Sequence, residues 1–132
     1  MWPEGERRPV ILVIEDEEET RYGMKRLLTA SGYRVDTAKN EEEAALMAKA
    51  HRPDLILMSL NLDVVRVLPA ARRVRECAGL DEEVPVVAFC VTGLAEGAEV
   101  GAGFNVYLTW PDNFDQLRGL LSRLLRKAAP FG

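Results

Sequence analysis

The sequence predicts an α/β fold in which five parallel strands form one sheet with helices on both faces. Five short apolar runs alternate with segments of helical spacing, and this order is typical of strands joined by right-handed helical crossovers. The third run, Leu55–Met58, is wholly apolar, as expected for a central strand buried on both faces. A chain of 132 residues is long enough to bury one core. The expected architecture is a three-layer α/β/α sandwich of flavodoxin-like strand order 2-1-3-4-5.

Each predicted strand is a short apolar or alternating run bounded by charged or turn-forming residues. The first, Val10–Ile14, is rich in β-branched residues and stops at an acidic run. The second alternates polar and apolar residues after Gly32. The five strands are therefore expected at 10–14, 33–36, 55–58, 84–89 and 106–108.

Each predicted helix shows apolar residues three or four positions apart. The first runs from Thr20 to Ala30, and Asn40 caps the second, whose acidic first turn suits the helix dipole. The third runs from about Leu68 to Ala78 with a proline in its first turn, where it is tolerated. The last helix should begin near Asp112 or Asn113 and bury five leucines, namely Leu117, Leu120, Leu121, Leu124 and Leu125.

A glycine-rich segment, residues 93–103, departs from this pattern. It contains Gly93, Gly97, Gly101 and Gly103. Glycine inside a helix costs about 0.5–1 kcal/mol relative to alanine. The fourth helix should therefore be short, frayed or absent, and a long loop is the alternative.

Composition excludes several classes of protein. The net charge of −4 and pI of about 5.1 argue against nucleic-acid binding. No apolar run approaches the roughly 20 residues needed to cross a bilayer, and Cys77 and Cys90 make no disulfide or zinc framework. A reducing cytoplasm is the expected location. We expect an N-terminal extension at 1–8, one domain at 9–128 and a tail at 129–132; the chain could be a whole protein or part of a larger one.

Candidate site residues follow the predicted strands. Glu15 and Asp16 end the first, Ser59 the third, Cys90 the fourth and Trp110 the fifth. The carboxyl ends of parallel strands share one edge, where α/β proteins bind their ligands. These side chains should therefore converge.

The same residues carry a resemblance to the CheY-like receiver domains of bacterial response regulators. The segments Ile11–Glu17, Pro53-Asp54, Val84–Val87 and Tyr107–Pro111 resemble that family's strands, over about residues 9 to 127. The resemblance implies two-component or phosphorelay signalling. It also implies a site in which Glu15 and Asp16 match the family's Mg²⁺-binding acids and Ser59 stands at the phosphorylated aspartate. Cys90 stands at the hydroxyl residue, Trp110 at the lysine, Pro111 at the proline after it and Tyr107 at the aromatic switch residue.

Three of these positions carry the wrong chemistry for aspartyl phosphorylation. Ser59 is neutral with no evident base, Cys90 is a poor hydrogen-bond donor, and Trp110 cannot offset phosphate charge. We therefore expect a degenerate pseudo-receiver that is not an enzyme and works through protein contacts. No cofactor is expected, and Mg²⁺ should bind weakly, if at all, at Glu15 and Asp16 because the third carboxylate is missing.

Two alternatives remain open. Phosphorylation or metal binding could use a substitute residue, Ser59 or Asp63. A small flavodoxin-like enzyme or flavin binder is disfavoured because the five acids after the first strand would repel an anion. Trp110 is expected to plug the vacated pocket, or else to face a partner.

The resemblance also implies a partner surface. In the family this face combines helix four, strand five and helix five and often forms dimers. Here it would include Tyr107, Pro111 and Arg118. The expected partners are a histidine kinase or output protein and, through this face, a second copy of the chain.

Overall fold

The computed structural model describes residues 7–60, 62–89, 93–110 and 114–127. Within these ranges it contains six strands and four helices. In chain order they are β1 Val10–Ile14, α1 Glu18–Ala30, β2 Arg34–Ala38, α2 Glu41–Ala50, β3 Leu55–Met58, α3 Val64–Ala78, β4 Val86–Phe89, β5 Glu99–Gly103, β6 Val106–Thr109 and α4 Phe114–Lys127.

The strands form one sheet of order β2-β1-β3-β4-β6-β5. Five of them are parallel, and β6 occupies the fifth place, so the flavodoxin-like order 2-1-3-4-5 is confirmed. The expectation of five strands, all parallel, is wrong in one respect. β5 adds a sixth strand that pairs antiparallel with β6 at the edge.

Alternate side chains of each central strand enter two hydrophobic clusters. Ile11 and Val13 pack with α1 and α4 on one face, whereas Leu12 and Ile14 pack with α2 and α3 on the other. The five leucines expected to be buried in the last helix are all buried. These two clusters fix the carboxyl edge of the sheet, where Glu15 and Ser59 lie.

The glycine-rich segment forms no helix in its described part. Its strand β5 turns into β6 through Phe104 and Asn105, which have φ of +56° and +58°. A two-residue turn with both φ values positive matches the right-handed twist of the flanking strands. Absence of the fourth helix was one expected outcome, but the strand was not predicted.

Helix α3 begins four residues before its expected start at Leu68. Asp63 caps it by accepting a hydrogen bond from the N–H of Arg66 at 3.1 Å. Pro69 therefore lies inside the helix and not in its first turn. The cap of α2 is as expected, since the Asn40 side chain accepts the N–H of Glu43 at 2.7 Å. The start predicted for the last helix, at 112 or 113, lies outside the described residues.

The expected boundaries at 1–8, 9–128 and 129–132 stay predictions. Arg7, the first described residue, donates two hydrogen bonds of 2.8 Å to Asp54, so it is tied to the start of β3. None of the described helices combines the length and apolar character that crossing a membrane requires.

Candidate functional site

The ends of β1 and β3 place Glu15 and Ser59 in direct contact. The Ser59 N–H donates to the Ile14 carbonyl at 2.8 Å, which continues the parallel ladder past the last strand residues. The Ser59 hydroxyl then donates to Oε1 of Glu15 at 2.7 Å. Oε2 of the same carboxylate accepts the N–H of Glu17 at 2.8 Å. Both oxygens of this acid are therefore engaged by the protein itself.

Glu15 is only 5% exposed, and its pKa is raised. Burial is the main cause, because it disfavours the charged form, and neighbouring Asp16 adds to the rise. The hydrogen bonds from the Glu17 N–H and the Ser59 hydroxyl act in the opposite direction. Ser59 therefore helps to keep a buried carboxylate charged.

Arg21 supports this loop in a way that sequence reasoning missed. Its guanidinium donates to the carbonyl of Glu15 at 3.0 Å and to that of Asp16 at 3.5 Å. The bonds go to the backbone, so they fix the path of the acidic loop. The sequence carried one signal for this role: Arg21 is a cation one turn into the helix that follows the acidic run.

A cleft of about 340 Å³ opens beside these residues. Its lining combines the acids Glu15 and Asp16 with Ser59, the start of α1 and Phe89 of β4. Trp110 is not among the residues that line it; the residue is partly exposed, and its backbone N–H donates to the Ala98 carbonyl at 3.2 Å. The expectation that the indole plugs the vacated space stays a prediction.

The residues of this cleft do not suit a tightly held Mg²⁺ ion. The described residues include no group of three or more His, Cys, Asp or Glu able to hold a metal. Ser59 supplies a hydroxyl in place of the third carboxylate, and both oxygens of Glu15 already accept hydrogen bonds. Weak binding at Glu15 and Asp16 stays a prediction.

The substitute acceptor Asp63 lies elsewhere. Its carboxylate caps α3, with one oxygen on the Arg66 N–H and the other 4.0 Å from the Arg66 guanidinium. It does not line the cleft of Glu15 and Ser59. Of the two substitutes considered, Ser59 alone lies in that cleft.

The expected partner face contains no fourth helix in the described residues 93–110. Tyr107 is half-buried on the α4 side of the sheet, and its hydroxyl donates to Oδ1 of Asn105 at 2.7 Å. Arg118 is exposed on α4 and donates to Asp115 at 3.1 Å. β5 stands beside them instead of a helix, joined to α4 by a 2.6 Å ion pair between Glu99 and Arg123. Cys90 and Pro111 lie outside the described residues.

Comparison with known proteins gives a consistent result. The Response regulator receiver domain family matches residues 11–122. The chain is 31% identical over 128 residues to the transcriptional regulatory protein PrrA of Mycobacterium tuberculosis, covering 93% of this chain and 52% of that protein. It is 29% identical over 126 residues to the phosphate regulon transcriptional regulatory protein PhoB of Rhizobium meliloti, covering 92% and 54%. The chain thus spans about half the length of these relatives.

Solved structures agree on the fold. The receiver domain of sensor histidine kinase PA1611 from Pseudomonas aeruginosa, which carries a magnesium ion in its active site cleft, is 28% identical with a TM-score of 0.66. That match covers 89% of this chain and 98% of that one. The receiver domain of the hybrid histidine kinase CckA is 24% identical with a TM-score of 0.64. The match covers 88% of this chain and 98% of that one, and it supports the fold alone.

Proposed function

We propose that this chain, which belongs to the response regulator receiver domain family, is a pseudo-receiver that acts in two-component signalling without aspartyl phosphorylation. The observation that carries the proposal is the contact between Ser59 and Glu15. At the end of β3, where the family has its acceptor carboxylate, the chain has a hydroxyl bonded at 2.7 Å to the neighbouring acid. The chain would then signal through a surface that partner proteins recognise by contact.

The chemistry of the cleft supports this proposal. An aspartate accepts a phosphoryl group because it is anionic and lies against a metal ion that offsets the incoming charge. Here the hydroxyl is neutral, the third metal ligand is missing, and Arg21 bonds to backbone carbonyls. Glu15, Asp16 and Glu17 all line the cleft, so a phosphoryl dianion would meet acids on one side.

One observation favours a second candidate, phosphorylation of Ser59 itself. A carboxylate 2.7 Å from a hydroxyl is placed to take its proton, and the raised pKa of Glu15 makes it a stronger base than an ordinary glutamate. The same acids that line the cleft act against this reaction. The two candidates differ in one measurable product, a phosphoserine.

The experiment is intact mass measurement after incubation with acetyl phosphate and Mg²⁺. We expect no phosphoryl adduct on the wild-type chain, while an aspartate-bearing receiver treated in parallel shows that the donor is active. An adduct on most molecules would contradict the proposal. If it disappears in Ser59→Ala the second candidate is correct, and if it disappears in Asp63→Asn the acceptor is the α3 cap.

The family relation also supports the kind of partner. Receiver domains interact with histidine kinases and output domains, and we propose a protein of one of these kinds here. A dimer through the face of β5, β6 and α4 is proposed on the same basis. Sedimentation of the wild type and of Arg118→Glu would test it, since a dimer through this face should weaken when a central charge is reversed.

A further inference from the structure

We propose that a second cleft, at the opposite edge of the sheet, binds a basic amphipathic helix of a partner protein. This cleft lies between the second half of α3 and the turn that joins β5 to β6, and we call it the hairpin cleft. Its volume is about 300 Å³. It lies at the start of β6, whereas Glu15 and Ser59 lie where strands end, so it is separate from the receiver-type site.

The first observation is Phe104 at the rim of the hairpin cleft. It has φ of +56° and is 59% exposed, in a turn where Asn-Gly or Gly-Gly is preferred. A bulky side chain in the left-handed region is strained, and strain that persists points to a function for the residue. Folding does not need a phenyl ring there, because water surrounds most of it. An exposed aromatic beside a cleft is the kind of residue that anchors protein interfaces.

The second observation is the way the turn is held. Arg75 on α3 is 6% exposed and donates to the carbonyl of Phe104 at 2.8 Å and that of Val84 at 2.7 Å. No carboxylate of the described residues pairs with it at ion-pair distance. The side-chain amide of Asn105 adds a bond to the Glu82 carbonyl at 2.9 Å. Hydrogen bonds therefore hold the turn that carries the Phe104 ring. Because the turn is already ordered, it loses less conformational entropy when a partner binds.

The third observation is the position of the hairpin cleft in the layers. Helices α2 and α3 cover one face of the sheet, and on that face no described helix covers β6 beyond α3, where Leu94 and Ala102 of the glycine-rich segment pack instead. This is the place that a fourth helix would occupy in a regular α/β/α sandwich. The partly buried apolar side chains Leu68 and Leu80 line the cleft there, together with Val106, which is itself buried. A helix from another protein would cover the same surface.

Charge selects the chemistry of that helix. The exposed residues that line the hairpin cleft are three acids, Glu76, Asp81 and Glu82, and one cation, Arg72, beside the exposed Phe104. Arg52, 4.0 Å from Asp81, and the buried Arg75 offset part of this negative charge. A partner with Lys or Arg beside its apolar stripe complements this rim, whereas an acidic helix or a nucleic acid is repelled. The volume suits a few apolar side chains better than a free small molecule, since it is at the bottom of the range of about 300–1,000 Å³ usual for ligand pockets.

The test uses two synthetic helical peptides of about 18 residues with leucine at i, i+3, i+4 and i+7, one with lysine at the other positions and one with glutamate. Binding to the full chain is followed by anisotropy of a labelled peptide. We expect the lysine peptide to bind with a Kd of about 10–100 µM and the glutamate peptide at least about tenfold more weakly.

Three variants locate the binding. Phe104→Gly should weaken the lysine peptide at least about tenfold, because the anchor is lost, while the thermal midpoint does not fall, since glycine relieves the positive φ. Glu82→Lys should weaken it through the rim charge. Leu46→Asn removes another exposed apolar side chain, 64% exposed on α2, and should leave affinity unchanged.

The proposal is overturned if the lysine peptide fails to bind at about 1 mM, a weak interaction by any standard. It is also overturned if both peptides bind alike, or if Phe104→Gly binds as the wild type does. Self-association that is lost in Phe104→Gly would make a second copy the occupant and would overturn the assignment to a basic partner.

Discussion

Replacing Ser59 with aspartate tests whether the receiver-type cleft is short of one carboxylate. The hydroxyl now lies 2.7 Å from Oε1 of a buried glutamate. The substitution would place a second carboxylate against Glu15, with charge centres about 4–5 Å apart, and their repulsion is about 3–4 kcal/mol at an effective dielectric constant of about 20. The pair can share a proton, so we expect a net loss of about 2 kcal/mol in the free energy of unfolding at pH 7.

Mg²⁺ should restore much of this loss, because the variant would offer three carboxylates to the ion. A ligand that binds only the folded state stabilises it by about 1.4 kcal/mol at tenfold its Kd and about 2.7 kcal/mol at a hundredfold. With the wild type binding at millimolar concentration or worse, 10 mM Mg²⁺ should add no more than about 1.4 kcal/mol. A tenfold tighter site in Ser59→Asp should add about 2.7 kcal/mol.

The assay is urea denaturation of wild type, Ser59→Asp and Ser59→Asn, each with Mg²⁺ and with NaCl of equal ionic strength. Ser59→Asn is the matched control, since it has the size of aspartate without the charge and should lie within about 1 kcal/mol of the wild type. A Ser59→Asp variant as stable as Ser59→Asn and unchanged by Mg²⁺ would refute the reasoning. It would mean that position 59 and Glu15 do not share a site open to a metal ion.

Two further predictions concern single side chains. Trp110→Ala should lower the free energy of unfolding by about 1–2 kcal/mol in urea denaturation, because the ring is partly exposed, against about 3–5 kcal/mol for a fully buried tryptophan. A loss of 3 kcal/mol or more would favour the plug after all. The raised pKa of Glu15 means that its contribution to stability is full below its unfolded value of about 4.5 and is lost as pH rises through the folded pKa. The free energy of unfolding of Glu15→Gln should therefore rise relative to that of the wild type as pH rises from 4 to 8. If the difference between the two free energies does not change with pH, Glu15 is not buried as a titrating acid.

Local patterns were sufficient for the parallel part of the fold. Val10–Ile14 and Leu55–Met58 have the predicted bounds because a buried parallel strand requires an apolar run and charges end it. The cap at Asn40 was also predicted, since its hydrogen bond spans only three residues. The proximity of Glu15 and Ser59 followed from the shared edge of parallel strands, but their direct hydrogen bond did not.

The remainder depended on contacts between distant residues. β5 contains two glycines in five residues, Gly101 and Gly103, so its own preference for a strand is weak and its pairing with β6 decides its structure. Arg75 lies in an arginine-rich helix and has no sequence signal for burial. It is buried because the turn at Phe104 supplies carbonyl acceptors, and that turn exists only when β5 does. The sequence suggested Asp63 as a substitute phosphoryl acceptor. Its role as the N-terminal cap of α3 could not be predicted, because the predicted helix began later, at Leu68.

The proposed pseudo-receiver role and the strand β5, which the described residues have in place of a fourth helix, fit together physically. A switch needs two states and a ligand that binds them with different affinity. In this chain Ser59 stands at the position that the resemblance assigns to the acceptor, and the hairpin of β5 and β6 is joined through Arg75 to α3 and through Arg123 to α4. The hydroxyl of Tyr107, which the resemblance places at the switch position, donates to Asn105 two residues before it. Under the proposed function no phosphoryl group triggers the chain, and the described residues have a strand where a helix would respond to one, so selection would act on the contacts that these surfaces make.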